Sequence, residues 1–163
     1  MEKIKNDIIK LLTENARYSS KEIAMILGVE ENTVSSVVDS LEKDGVIVKY
    51  SAILNTEALQ ENTVQALIEV KVAPQKLKGF DAYAEEIYSF DEVKSLYLMS
   101  GGFDLAVFVE GKRLTDIAKF VAEKLSVIDG ITSVATHFIL KKYKIEGTVT
   151  KQNEEAKRQI VQA

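Results

Sequence analysis

The sequence has no cysteine and no tryptophan, and in 163 residues it spends one proline and one histidine. Without cysteine there is no disulfide framework and no thiolate metal site, and nothing favours export to an oxidising compartment. The lone histidine, His137, has no second imidazole with which to share a metal. Set between Thr136 and Phe138, it reads as a packed or partly exposed strand residue. No apolar run approaches the length of a bilayer span, and MEKIKNDIIKLLTE at the start mixes both charge signs along an amphipathic pattern, unlike a signal peptide. A cytoplasmic protein without membrane association is expected. Basic residues, 21 in all, are outnumbered by 25 acidic ones. A net charge of −4 argues against nucleic-acid binding driven by bulk electrostatics. Catalytic assemblies are missing as well. Glu85 and Glu86 are adjacent and point to different sides of a helix, and SGGFD lacks the lysine and the following helix of a phosphate loop. Neither catalytic residue, metal nor cofactor is expected.

What is present is periodicity. Ile4, Ile8, Leu11 and Leu12 recur at helical spacing over Glu2 to Glu14. In SSKEIAMILG, Ser19 and Glu22 have the spacing of a capping box, Ile23, Ile26 and Leu27 form an apolar face, and Gly28 suits a left-handed helix end. A short turn leads to ENTVSSVVDSLEKDG, with Val34, Val37, Val38 and Leu41 on one face and Gly45 as the stop. VIVKYSAIL then alternates like a strand. Three helices with a tight glycine turn between the second and third, followed by a strand, describe a winged helix-turn-helix over residues 1–54. A plain three-helix bundle is the competing reading.

NTEALQEN, residues 55–62, is polar and aperiodic and reads as a linker. From Thr63 the texture changes. TVQALIEVKV alternates as a strand ended by Pro74, LKGFDAYAEEIYSF is helical, EVKSLYLMS and FDLAVFVEG are strands joined at Gly101 and Gly102, RLTDIAKFVAEKLSVIDG is a second helix, and ITSVATHFILKKY closes the set. The order βαββαβ over residues 63–146 makes a ferredoxin-like plait, so the fold class is α+β. The sheet face away from the helices has no cover from this chain. Leu96, Leu98 and Phe108 are expected on it, with a second copy supplying the cover. Residues 147–163 are polar and read as a frayed tail.

The turn YLMSGGFDLAVFVEG poses a chemical question. Two glycines leave backbone N–H groups accessible to a carboxylate, and Asp104 could accept from an ammonium group. Together they complement a free amino acid. Asp104 could equally bond the turn backbone as an Asx-type residue.

From about Ile4 to Tyr143, in unbroken order, the chain resembles the Lrp/AsnC family of leucine-responsive or feast/famine transcription regulators. The likeness rests on YSSKEIAMILGVEENTVSSVVDSLEKDGVIVKYSAIL, the GGFD hairpin and the closing GITSVATHFILKKY. It implies a DNA-binding head and an effector-binding (RAM/AsnC-type) domain, homodimers through the sheets, octamers or helical assemblies, and an amino acid bound between dimers. The effector residues it implies are Gly101, Gly102, Phe103 and Asp104, with Ser133 and Thr136 from the last strand. One departure concerns the recognition helix. Many family members carry arginine or lysine at its middle, whereas this chain has Ser36, Val37, Asp39 and Ser40. Bidentate guanine readout by arginine is not offered there. Base contacts are expected from Asn32, Thr33, Ser35 and Ser36, and phosphate contacts from Arg17, Lys21, Lys43 and Lys49. Two rival readings stay open: an amino-acid-binding oligomer with weak or lost DNA binding, and an enzyme, prompted by tetrapyrrole decarboxylases of similar two-domain architecture. No histidine and arginine-rich catalytic cluster supports the enzyme.

Overall fold

The computed structural model describes residues 2–56, 59, 63–73 and 79–150. Pro74 and the segment 151–163 lie outside them. The chain divides into two compact units, Met1–Leu54 and Asn55–Ala163.

The first unit holds α1 (Glu2–Glu14), α2 (Ser20–Leu27) and α3 (Glu31–Lys43). Helix α2 starts where local chemistry requires it. The Ser19 hydroxyl oxygen accepts from the Glu22 N–H at 3.2 Å, and the Glu22 carboxylate accepts from the Ser19 N–H at 2.8 Å. Two otherwise orphaned donors are thereby satisfied. The Ser19 N–H, with the Ser19 hydroxyl donating to the same carboxylate at 2.7 Å, also holds the Glu22 carboxyl below its usual range. The helix stops at Gly28, whose φ of +67° suits glycine, and its N–H returns to the Ala24 carbonyl. Ile8, Ile23, Ala24, Val34 and Leu41 form the buried core that fixes α3 against α1 and α2.

The strand expected over VIVKYSAIL does not form. Residues 46–54 join no ladder, because a strand needs a partner and this unit contains no second one. Only Ile47 turns toward the core, and Val48 is 89% exposed. The segment is held by the Val46 and Ile47 N–H groups, which both donate to the Leu41 carbonyl, and by the Tyr50 hydroxyl, which donates to Glu42 at 2.9 Å. Burial, reinforced by the neighbouring Glu42 carboxylate, raises the Tyr50 phenol.

The second unit follows the expected order. It runs β1 (Val64–Val72), α4 (Phe80–Tyr88), β2 (Val93–Leu98), β3 (Leu105–Gly111), α5 (Leu114–Phe120) and β4 (Ile131–Phe138). The strands form one antiparallel sheet in the spatial order β2-β3-β1-β4. Ala66, Ile68, Val70 and Val72 of β1 face the helices and pack with Tyr83, Ile87, Ile117 and Phe120. Gly130 marks a close approach. A Cβ there would lie 2.1 Å from the Tyr83 hydroxyl, and its φ is +93°.

The structure corrects three expectations. Leu96 is not on the open sheet face: β2 pairs in unbroken register from Leu98 opposite Leu105 to Ser95 opposite Phe108, which puts Leu96 opposite Val107 and against the core. Leu98, opposite Leu105, shares that side, so the open face carries Phe108 with Tyr97, their rings 5.9 Å apart edge to face. The second helix is not uniform. Beyond Phe120 it widens into a π-helical turn, Val121–Leu125, which keeps Leu125 buried while Lys124 reaches Glu92 at 2.6 Å; Leu114 and Ala118 are exposed. Last, the tail expected from Gly147 begins as structure. Strands β5 (Lys144–Ile145) and β6 (Thr148–Val149) pair across Glu146 and Gly147, whose φ values of 45° and 79° make the turn that a two-residue hairpin favours.

Candidate functional site

Strands β2 and β3 pair up to Leu98 opposite Leu105, and the Met99 N–H closes the loop onto the Asp104 carbonyl at 2.8 Å. The loop between them presents Gly101 and Gly102 to solvent. Gly101 has φ +146°, a region side chains rarely adopt, and no atom lies within 4 Å of where a Cβ would stand on either glycine. Neither glycine N–H has an acceptor among the described residues. Two free donors beside open space can receive a carboxylate.

Asp104 is tied to its neighbour strand. Its N–H donates to the Val70 carbonyl at 2.9 Å, and its Oδ2 accepts from the Val72 N–H at 2.8 Å. The cause is topological. On the β3 side the ladder ends at Val70 opposite Leu105, and β1 shifts register against β4 between Lys71 and Val72. Without the Asp104 carboxylate, the N–H of the buried Val72 would lack this acceptor. So the backbone bond weighed from sequence exists, but it crosses to β1 and does not close the turn itself. Alternation along the chain held no sign of Val72 as the partner. The bond fixes the carboxylate, two residues along the chain from Gly102, against the end of β1.

The strand residues expected at the same site separate. Ser133 lies opposite Lys71 and is exposed, whereas Thr136 lies opposite Ile68, on the helix side of the sheet. Three residues apart on one strand, they occupy opposite faces. Within one chain, only Ser133 shares with Asp104 the Lys71–Val72 end of β1. His137 lies opposite Leu67, its Nε2 3.4 Å from Glu69, as a partly exposed strand residue. Among the described residues no three His, Asp or Glu side chains cluster to hold a metal ion, and no helix is long and apolar enough to cross a membrane.

The head offers the second surface. On α3, Asn32, Ser36, Asp39, Ser40 and Lys43 are exposed, while Thr33 and Ser35 are half-buried at its flanks. Arg17, Lys21, Lys43 and Lys49 are exposed, and none has an ion-pair partner among the described residues. Cations left unpaired on a unit with nine acidic and seven basic residues are available to an external anion.

Comparison with known proteins matches these two units separately. Residues 1–48 match a winged helix-turn-helix DNA-binding model, and residues 65–149 match the Lrp/AsnC ligand binding domain. The Bacillus subtilis HTH-type transcriptional regulator YugG is 44% identical over 95% of this chain and 94% of its own. The Pyrococcus abyssi HTH-type transcriptional regulator LrpA is 34% identical over 84% of this chain and 94% of its own. Among solved structures, Escherichia coli AsnC superposes with a TM-score of 0.69 at 21% identity, covering 89% of this chain and 95% of its own. A Neisseria meningitidis transcriptional regulator in complex with L-Met gives 0.72 at 23%, covering 91% and 96%. At such identities these two likenesses speak for the fold.

Proposed function

The chain belongs to the Lrp/AsnC family of transcriptional regulators, and from that premise we propose how its residues divide the work. Residues 1–54 read double-stranded DNA, with Arg17, Lys21, Lys43 and Lys49 on phosphates and Asn32, Thr33, Ser35 and Ser36 on bases or phosphates. Residues 63–146 bind a free amino acid or a related metabolite and assemble the protein. Gly101 and Gly102 donate to the effector carboxylate, and Asp104, with Phe103 beside it, takes the ammonium group.

Two free glycine N–H groups next to a carboxylate pinned by Val72 carry this reading. The Neisseria relative's L-Met complex supports it by analogy. Because Thr136 sits across the sheet from Ser133, its part in the pocket comes from a different subunit than Asp104. The open face with Tyr97 and Phe108 pairs with a second copy, and dimers gather into octamers or helical assemblies. The effector shifts the equilibrium among assemblies and so the spacing of the heads. The protein acts in the cytoplasm and catalyses no reaction. The family favours DNA binding over the reading in which the head has given it up.

The test is retention of genomic DNA fragments by the purified protein at two salt concentrations, with and without the twenty amino acids. Selective retention that weakens with salt and changes with amino acids is expected. Absence of retention at low salt, together with amino-acid-induced thermal stabilisation, would move the protein to the DNA-free reading.

A further inference from the structure

Helix α3 carries an acid where a DNA reader is expected to avoid one. Asn32, Ser36, Asp39 and Lys43 follow one another at intervals of four, three and four, and all are exposed, so they form one stripe along the helix. Asp39 stands in the middle. It has no hydrogen-bond or ion-pair partner among the described residues, Lys43 included, although that lysine is four residues on. The other acid on this stretch, Glu42, is occupied by the Tyr50 hydroxyl, and Ser40 donates to Asp44 at 3.1 Å. Asp39 is therefore the unspent carboxylate of this stripe.

A lone carboxylate close to the DNA backbone is repelled by phosphate, and only a hydrogen-bond donor on a base edge can offset that. In the major groove guanine offers two acceptors and thymine an acceptor and a methyl group. Adenine sets an acceptor beside its amino group, which suits an amide better than a carboxylate. Cytosine alone presents an amino group, N4, with no acceptor beside it on the same base. Resting on the DNA-binding reading above, we infer that Asp39 is a specificity-determining residue that accepts from cytosine N4 and makes one cytosine per half-site obligatory. Asn32 lies seven residues earlier on the same stripe, about 10 Å along the axis. It reads a base about two to three pairs away from that cytosine, adenine being the partner an asparagine side chain fits.

The experiment is selection from a randomised duplex DNA pool by the full-length protein and by Asp39→Asn and Asp39→Ala. The wild type should enrich a motif with a fixed cytosine. Asp39→Asn should change that position to adenine, and Asp39→Ala should leave it without preference, with discrimination there falling about tenfold or more. Identical motifs from all three proteins overturn the inference, including the case in which Asp39→Ala merely binds every sequence more tightly. Failure of the wild type to retain any DNA at low salt overturns the DNA-binding reading beneath it, a result that needs neither variant.

Discussion

The bond between Asp104 and Val72 lets structural and ligand roles of one carboxylate be separated. Asp104→Ala removes the acceptor and leaves the N–H of Val72, a residue 7% exposed, without its partner, at a cost of about 2 kcal/mol. Asp104→Asn keeps an oxygen in the same place, so the bond survives in neutral form and the loss is about 1 kcal/mol or less. Under the proposed function the effector has the opposite order of importance, because both variants remove the charge assigned there to its ammonium group. A charged hydrogen bond of about 2.7 kcal/mol removed from binding weakens affinity about 100-fold. At a ligand concentration about 100 times the wild-type Kd, stabilisation by ligand is about 2.7 kcal/mol, and after a loss of about 100-fold in affinity it is about 0.4 kcal/mol. Urea unfolding with and without amino acid measures both quantities on the same samples. Asp104→Asn should be nearly as stable as wild type and nearly blind to ligand. If it keeps the full ligand stabilisation, the carboxylate charge plays no part in binding. If Asp104→Ala unfolds at the wild-type midpoint, the Val72 bond contributes nothing.

Gly130→Ala forces a methyl group onto the Tyr83 hydroxyl at a positive φ and should cost about 3 kcal/mol in the same unfolding assay. Gly102→Ala, where the added methyl meets open space, should change stability by less than about 0.5 kcal/mol yet weaken effector binding, as calorimetry would show. Lys124 holds the Glu92 carboxyl below its usual range, chiefly through their hydrogen bond. Because that pKa is depressed on folding, its contribution is present above the unfolded value near 4.5 and lost as pH falls through the lower folded one. Lys124→Met should cost about 1 kcal/mol at neutral pH and flatten this acid limb of the stability profile. For the head, Lys43→Ala should make the slope of log K against log salt shallower by about 0.9, the value for one phosphate that the lysine no longer neutralises, as titration at several ionic strengths would read.

Features set by neighbours in sequence were legible without the structure. The Ser19–Glu22 box and the left-handed Gly28 need only residues a few positions apart, and both form as read. The strand order was legible too, because alternation and helical spacing survive along each element. What failed depended on partners from elsewhere. Whether residues 46–54 make a strand turns on a second strand, which the head lacks. Leu96 shares a face with Val107 and not with Phe108 because the hairpin closes with Leu98 opposite Leu105, a register that composition does not mark. Ser133 and Thr136 share a motif but not a face, and that follows from simple parity once their register against β1 is known. The role of Asp104 at Val72 spans 32 residues and needs the β1–β3 register to be seen at all.

Tyr83, wedged beneath Gly130 with its hydroxyl donating to the Ala73 carbonyl, also determines how this protein can be observed. The chain has no tryptophan, so its near-ultraviolet absorbance comes from six tyrosines, and only Tyr83 among them is buried. A ring fixed in an asymmetric interior gives a circular-dichroism band that disappears when the packing around it loosens, whereas rings that reach solvent contribute little. The wild-type protein thus carries an optical reporter weighted toward its second unit, since Tyr18 of the head is only half-buried. One tryptophan introduced into the first unit would give the head a separate colour, and the two units could then be followed apart in a single cuvette.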